Sequence, residues 1–373
     1  MKIIMATGIF PPQIGGPALY CGKLANHFSE TGSDVRVLTY GKVFLKPARY
    51  SISWVSRIWP YGLRQFIYFM RLLMIVRKCD VIFAFDTLGA GLPAVLAGRL
   101  SGRKVVMRIG GDFLWEKYSE SGRPPVSLRE FYAAKGYENY PVLFRLVKFV
   151  LRSADPVIFT TEFQRDIFVR NYGLDAGRTT VLGNIHEKES DEVFSPSGEK
   201  KVVLWAGRFL KLKNLPFLLN VFRRLSAEDP RLVLKMAGEG PESGNLKAEA
   251  RNMDLGGKVF FPGALNEDSL SEEIKKSYMC VLPSLSEISP NFALKCLSFN
   301  KPVVITQETG IKREFPGLMY ADPKNEESFY LAMLRLLDEN SYDNYQRHIA
   351  GIRISGDWEG LSREYLKILE RNI

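Results

Sequence analysis

The chain runs through one rhythm twice. Short apolar runs alternate with helical stretches, the pattern stops, and then it starts again. Lys2–Thr7, Asp34–Tyr40, Asp80–Phe85, Lys104–Ile109 and Pro156–Thr160 read as strands, with helical patterns between most of them, the first from about Pro17 to Thr31. The interruption is Glu187–Lys200 (EKESDEVFSPSGEK), charged and holding Ser, Pro and Gly with little to bury, which reads as an interdomain linker. Val202–Ala206, Leu232–Ala237, Val259–Phe261, Met279–Leu282 and Pro302–Ile305 then read as strands, with helices near Leu215–Leu225 and Asn245–Met253. Strand–helix alternation predicts a parallel sheet covered on both faces. Its repetition predicts an α/β protein of two doubly wound, Rossmann-like domains: residues 1–186, a linker at 187–200, a second domain at 201–354 and a last segment at 355–373. A chain of 373 residues is long enough for two such domains.

Charge is placed unevenly. The net charge is +10, and residues 1–190 hold 26 Lys and Arg against 15 Asp and Glu, so the excess lies wholly in the first half. That asymmetry points to an anionic partner for the first half. Nucleic acid is disfavoured, because neither zinc-finger spacing nor an RNP-like aromatic motif occurs. Three histidines and four scattered cysteines offer no metal-ligand cluster, so no metal site is expected. The cysteines read as buried thiols in a reducing compartment. The opening MKIIMATGIFPP is broken by Gly8 and ended by Pro11-Pro12, as suits a buried strand and not a secretory signal. The apolar stretch Phe66–Val76 is about half the ~20 residues of a membrane span and contains Arg71. A cytoplasmic protein is expected.

Ligands of doubly wound sheets sit beyond the carboxyl ends of the strands, where helix N-termini favour phosphate. Three loops fit. Phe10–Pro17 carries Gly15 and Gly16, which let a backbone approach a phosphate, although a plain turn would use them too. It is not the GxGxxG dinucleotide fingerprint. Ala206–Asn214 carries Arg208, a planar fork, and Lys213, a point charge, a pair suited to a diphosphate. Pro283–Lys295 carries Glu287 just before a helix expected near Pro290, with Ser289 or Asn291 as its cap. A carboxylate there is placed to hold sugar hydroxyls.

In this order the motifs resemble the retaining glycosyltransferases of GT-B architecture, family 4. FPPxxGG opens the chain, Gly207-Arg208 and Lys213 match a GR…K pair, and Ala237–Pro241 matches a G-x-GP turn. Val259–Gly263 matches VxFxG, and Pro283-Ser284…Glu287 matches the start of E-x7-E. The resemblance implies two Rossmann-like domains with an interdomain cleft. It implies a nucleotide-sugar donor as co-substrate, no other cofactor, and no metal. Gly15, Gly16 and Gly238 would border the donor, and Arg208 and Lys213 would neutralise its diphosphate as it leaves. Glu287 would hold the donor sugar, and Ser289, Pro290, Asn291 and Phe292 would line the pocket. Asp357-Trp358 would start a last helix crossing back to the first domain. Asp112, in Gly110–Glu116 (GGDFLWE), would orient acceptor or transferred sugar, its plainer role being a helix cap.

One departure stands out. Lys295 occupies the place of the second Glu, which in the family grips ribose hydroxyls. An ammonium only donates, so Lys295 either reaches a phosphate or weakens donor binding. The expected function is transfer of a sugar to a lipid-linked or polysaccharide-precursor acceptor at the membrane, and the alternative is an impaired nucleotide-sugar-binding protein. The membrane enters through Arg57, Arg64, Arg71 and Lys78, spaced by seven residues among aromatic side chains, and through Phe144–Arg152. Basic and aromatic residues together suit docking on the inner face of an anionic membrane; a core helix with a basic solvent face would show the same pattern.

Overall fold

The computed structural model describes residues 1–13, 15–43, 49–185, 187–190, 192–194, 199–352 and 356–373. Parts of the expected linker, the expected boundary at 354 and 355, and Ile14 of the first glycine loop lie outside them.

Two parallel sheets form, each wound in both directions from its first strand. In the first sheet β1 (Lys2–Ala6), β2 (Asp34–Tyr40), β3 (Ser51–Val55), β4 (Val81–Ala84), β5 (Lys104–Ile109), β6 (Val157–Phe159) and β7 (Thr179–Val181) lie in the order 3-2-1-4-5-6-7. The second contains β8 (Lys201–Ala206), β9 (Leu232–Ala237), β10 (Val259–Gly263), β11 (Met279–Leu282), β12 (Val303–Thr306) and β13 (Met319–Ala321), in the order 10-9-8-11-12-13. Their central strands, such as VIFA, MCVL and VVIT, are buried throughout, as expected where helices cover both faces. The winding reverses between β1 and β4 and between β8 and β11, and ligands of such sheets gather at these switch points.

The chain separates into two compact units, and their boundaries differ from the expected ones. Unit 1 comprises Met1–Leu114, Lys135–Ile185 and Gly356–Ile373; unit 2 comprises Trp115–Ala134 and His186–Ser355. The first domain is therefore not a continuous 1–186, because a 20-residue excursion from it belongs to unit 2. The expected linker is also corrected. Its described residues are bonded into unit 2: Glu189 N donates to Ser298 O (3.2 Å), Asn300 Nδ2 to Glu192 O (2.9 Å) and Lys301 Nζ to Phe194 O (2.8 Å). A polar segment with little to bury is held by its backbone carbonyls.

The core of unit 1 includes the C-terminal helix Trp358–Glu370. Trp358, Leu361, Tyr365 and Leu369 join Ile3, Met5, Leu24 and Phe83 in one buried cluster. The spacing of these four residues is the stripe of a helix with one apolar face. Tyr20 and Trp358 rings lie 4.9 Å apart, and Phe83 and Tyr365 rings 5.5 Å. Arg108 on β5 is buried beneath this helix. Its Nε donates to the Tyr365 hydroxyl at 2.9 Å, another nitrogen donates to Asn184 Oδ1 at 2.6 Å, and its guanidinium lies 4.2 Å from the centre of the Tyr20 ring. A buried cation is tolerated here because oxygens and an aromatic face surround it.

Candidate functional site

Unit 2 brings several expected residues together at its switch point. β8 ends at Ala206, and the chain then turns through Lys211–Lys213 into the helix Leu215–Glu228. Asn214 holds that corner. It adopts the left-handed conformation (φ 57°), which asparagine tolerates better than most side chains, and its amide donates to the carbonyls of Pro283 (3.2 Å) and Pro323 (2.8 Å). The loops after β8, β11 and β13 are thereby tied together.

Lys213 Nζ donates to Glu287 Oε1 at 2.6 Å, and the same oxygen accepts from Ser284 Oγ at 2.6 Å. The Glu287 backbone is fixed as well: its amide donates to Glu308 O (2.8 Å), and its carbonyl accepts from Gly310 N (2.9 Å). Side chain and main chain thus hold one carboxylate at the carboxyl end of β11. Beside it, Thr309 Oγ1 is buried and has no hydrogen-bond partner among the described residues. Arg208 is exposed on the β8 loop and makes no ion pair among the described residues.

The helix after Glu287 spans Asn291–Ser298 with Pro290 at its N-cap. Neither Ser289 nor Asn291 caps it, because proline takes that position and has no side-chain acceptor. Ser289, Asn291 and Phe292 are half-buried around that terminus. Lys295, one turn further, is buried, and its Nζ is ion-paired with Glu267, the first residue of the helix Glu267–Lys276. The ammonium is thus engaged by a carboxylate.

Gly238 serves loop packing. A Cβ there would stand 1.8 Å from Gly207 O, and one at Gly240 would stand 2.4 Å from Phe209 O. Both glycines let the loops after β8 and β9 touch backbone to backbone. Next to them, Phe209, Glu239, Ser243, Lys247 and Phe261 line a cavity of about 310 Å³.

The excursion Trp115–Ala134 reaches these same loops. Leu128 N donates to Ser286 Oγ (2.9 Å), Glu120 accepts from Lys211 N (2.9 Å), Lys324 Nζ donates to Glu130 (2.6 Å), and Arg129 Nε lies 3.2 Å from Glu308 Oε2. Ser284, Thr309 and Asn214 are site residues that the sequence reading did not single out. Ser284 had a visible signal in its spacing to Glu287; Thr309 had none.

In unit 1, Gly15 and Gly16 open the helix Gly16–Glu30, whose N-terminus has no side-chain cap. Asp112 follows β5 and is 2% exposed; its neighbour Gly111 accepts from Gln164 Nε2 at 2.9 Å. Both loops lie at the carboxyl edge of the first sheet.

The basic stripe forms only in part: Arg64 and Arg71 lie seven residues apart on one helix, and Lys78 falls beyond its end. The helix is Leu63–Val76, so Arg57 precedes it and Lys78 follows it. Arg57 donates to Gly8 O (3.2 Å) and Gln13 Oε1 (2.5 Å), Arg64 lies over the rings of Tyr40 (5.9 Å) and Tyr61 (5.0 Å), and Arg71 is bonded to Trp54 O. Beside the exposed Arg71, the helix presents apolar side chains to solvent: Leu63, Phe66, Met70 and Met74, continued by Ile58 and Trp59. In the second segment Phe144 stacks on Tyr137 (4.2 Å) and Tyr172 (5.0 Å), and Arg152 caps the carbonyls of Tyr172 and Gly173. Both are used for packing. No helix among the described residues is long and apolar enough to cross a membrane.

Two doubly wound units, with a lysine, a carboxylate and a serine gathered at the switch point of the second, have the architecture of the GT-B class. Residues 15–184 match the family described as glycosyl transferase 4-like domain, and residues 186–353 match glycosyl transferases group 1. The chain belongs to this group 1, family 4-like family of glycosyltransferases. It is 24% identical over 396 aligned positions to an uncharacterized glycosyltransferase of Methanocaldococcus jannaschii, covering 99% of this chain and 97% of that one. It is 26% identical over 247 to mannosylfructose-phosphate synthase of Agrobacterium fabrum, covering 59% and 54%. Among solved structures it is similar in fold to Anabaena HepE in complex with UDP (TM-score 0.75, 15% identity, both chains covered fully). WaaG, a glycosyltransferase involved in lipopolysaccharide biosynthesis, is similar too (TM-score 0.75, 14% identity, 99% of each chain).

Proposed function

We propose that the chain transfers a sugar from a nucleotide-sugar donor, UDP-linked in the first instance, to an acceptor, with retention of anomeric configuration and without a metal ion. The observation that carries this reading is Glu287 held between Lys213 and Ser284 at the carboxyl end of β11. Lys213 and the exposed Arg208 would take the diphosphate and stabilise its charge as the glycosidic bond breaks. Glu287 would then accept hydrogen bonds from the donor sugar, with Thr309 Oγ1 beside it as a further partner. The N-terminus of the helix Asn291–Ser298 suits a phosphate, and the cavity beside Phe209 and Phe261 suits a base. Gly15 and Gly16 would border the donor diphosphate, and Asp112 would orient the acceptor or the transferred sugar. HepE binding UDP supports the choice of nucleotide. Polysaccharide or lipid-linked acceptors and a position at the inner membrane face are part of the same proposal, supported by the exposed apolar stripe at Phe66, Met70 and Met74.

The test is calorimetric titration of metal-free protein with UDP, GDP and ADP, followed by proton NMR of the product formed from the matching α-linked donor. UDP binding and an α-linked product are expected. No nucleotide binding at millimolar concentration, or a β-linked product, overturns the reading.

Lys295 favours one second reading, a donor-binding protein with little turnover. A silent wild type whose Lys295→Glu variant turns over would establish it.

A further inference from the structure

The pair Lys295–Glu267 joins two helices of unit 2, and the chemistry proposed above leaves it unused. Lys295 lies one turn beyond the first residue of the helix Asn291–Ser298, with its side chain buried. Glu267 opens the helix Glu267–Lys276, four residues after Gly263, the last residue of β10. It is fixed at both ends. Asn266 caps its helix by accepting from Ser269 N at 2.8 Å, and Glu267 Oε1 accepts from Lys295 Nζ. The other carboxylate oxygen, Oε2, has no partner among the described residues, and the side chain stands open to solvent.

A glutamate in the first turn of a helix needs no lysine, because the helix dipole already favours it. Burying an ammonium costs free energy that an exposed carboxylate offsets only in small part. What the pair does achieve is anchorage: a long side chain in water is held in one place with one oxygen left open. A side chain fixed beforehand loses less entropy when a ligand arrives. The neighbours on either side name the ligand group. Phe261 and Gly263, at the end of β10, line the cavity that suits a base. Asn291, one turn before Lys295, opens the helix terminus that suits a phosphate. Between base and phosphate a nucleotide carries ribose, with two vicinal hydroxyls. A carboxylate accepts from hydroxyls and an ammonium cannot, and carboxylates take ribose hydroxyls in other doubly wound sheets.

We propose that Glu267 Oε2 accepts hydrogen bonds from the ribose hydroxyls of the donor nucleotide, and that Lys295 is the positioning residue that holds Glu267 there. The proposal rests on the transferase reading, whose donor site it extends to the helix Glu267–Lys276.

Calorimetry of the full chain compares whichever of UDP, GDP and ADP binds tightest with its 2′,3′-dideoxy form and with pyrophosphate. The wild type should bind the ribonucleotide at least about tenfold tighter than the dideoxy form, which lacks the hydrogen bonds to a charged group. Glu267→Gln keeps an oxygen for Lys295 and turns amide N–H groups toward the ligand. It should weaken the ribonucleotide about tenfold and leave the dideoxy form and pyrophosphate unchanged, so that the preference disappears. Lys295→Met keeps the carboxylate and removes its anchor. Here the preference should fall several-fold while pyrophosphate affinity holds. A loss shared by all three ligands in both variants marks a pair that serves only stability, and overturns the proposal. Equal wild-type affinity for the two nucleotides, or a preference that survives Glu267→Gln, overturns it as well and leaves the transferase reading standing. Binding of no nucleotide at millimolar concentration overturns both.

Discussion

Lys213 and Glu287, 74 residues apart, share a 2.6 Å hydrogen-bonded ion pair in which both side chains are largely buried. The pair fixes both side chains at the carboxyl end of β11. A diphosphate would compete with Glu287 for the ammonium, so the two residues should separate in their effects. Lys213→Ala should weaken UDP binding about tenfold or more, as loss of a charge-assisted contact. Glu287→Ala should lower turnover by about 100-fold with a much smaller change in UDP affinity. Calorimetry and steady-state kinetics on the two variants check both; equal effects on affinity would refute the assignment.

Lys295 is 7% exposed at its side chain, whereas its partner Glu267 is 74% exposed. An ion pair with one member in water contributes little, so Lys295→Met should cost less than about 1 kcal/mol. Lys295→Glu buries a carboxylate beside another and should cost about 3 kcal/mol, much of it recovered by adding Glu267→Lys. Urea unfolding of the three variants measures this.

Removal of residues 356–373 strips Trp358, Leu361, Tyr365 and Leu369 from the first core. It also leaves Arg108 buried without the Tyr365 hydroxyl. The truncated chain should lose cooperative unfolding of unit 1 while unit 2 still melts. Tyr365→Phe, which removes only the acceptor, should cost about 1–3 kcal/mol. Calorimetric melting of both proteins decides; a truncated chain with two intact transitions would contradict the packing.

Lys301 is fully buried, and burial lowers its pKa from 10.5 to about 8. Between those values the unfolded chain holds the proton and the folded chain does not. This group alone therefore makes stability rise with pH across that window. Buried Cys79 works the other way, its thiol pushed up to about 11, so the comparison must be made against a variant. Lys301→Met should flatten the slope between pH 8 and 10.5 by up to about 1.4 kcal/mol per pH unit. Denaturant midpoints taken across that range show whether it does.

The exposed stripe of Phe66, Met70 and Met74 bears on the membrane proposal. Replacing all three with Ser should reduce co-sedimentation with phosphatidylglycerol vesicles several-fold and leave melting nearly unchanged, because none is buried. Binding that survives the triple substitution would show that the helix does not insert.

Much of the fold was legible because central strands are continuous apolar runs closed by turn residues, as at VIFA and VVIT. β3, β7 and β13 escaped notice: TTV and MYA are three residues long, and SISWV alternates on a half-exposed edge. The loops after β8 and β11 were legible by their motif order along the chain, and the structure brings Lys213 and Glu287 of those loops together. What local pattern could not supply was partnership at a distance. Lys295 meets Glu267 28 residues away, and Leu128 meets Ser286 across 158. The heptad of basic residues misled for the opposite reason. Regular spacing marks a face only where a helix runs, and this helix carries Arg64 and Arg71 but stops before Lys78.

The excursion Trp115–Ala134 governs how this protein could be recombined. A chimera joined at a single point near residue 186 would inherit donor loops from one parent and the segment bonded to Ser286, Lys211 and Lys324 from the other. The C-terminal helix would be mismatched as well, since it completes the core built by the first residues. Exchange of unit 2 between relatives therefore needs two transplanted pieces, 115–134 and 186–355, with residues 356–373 left in place. Each unit thus includes a segment drawn from the other half of the sequence.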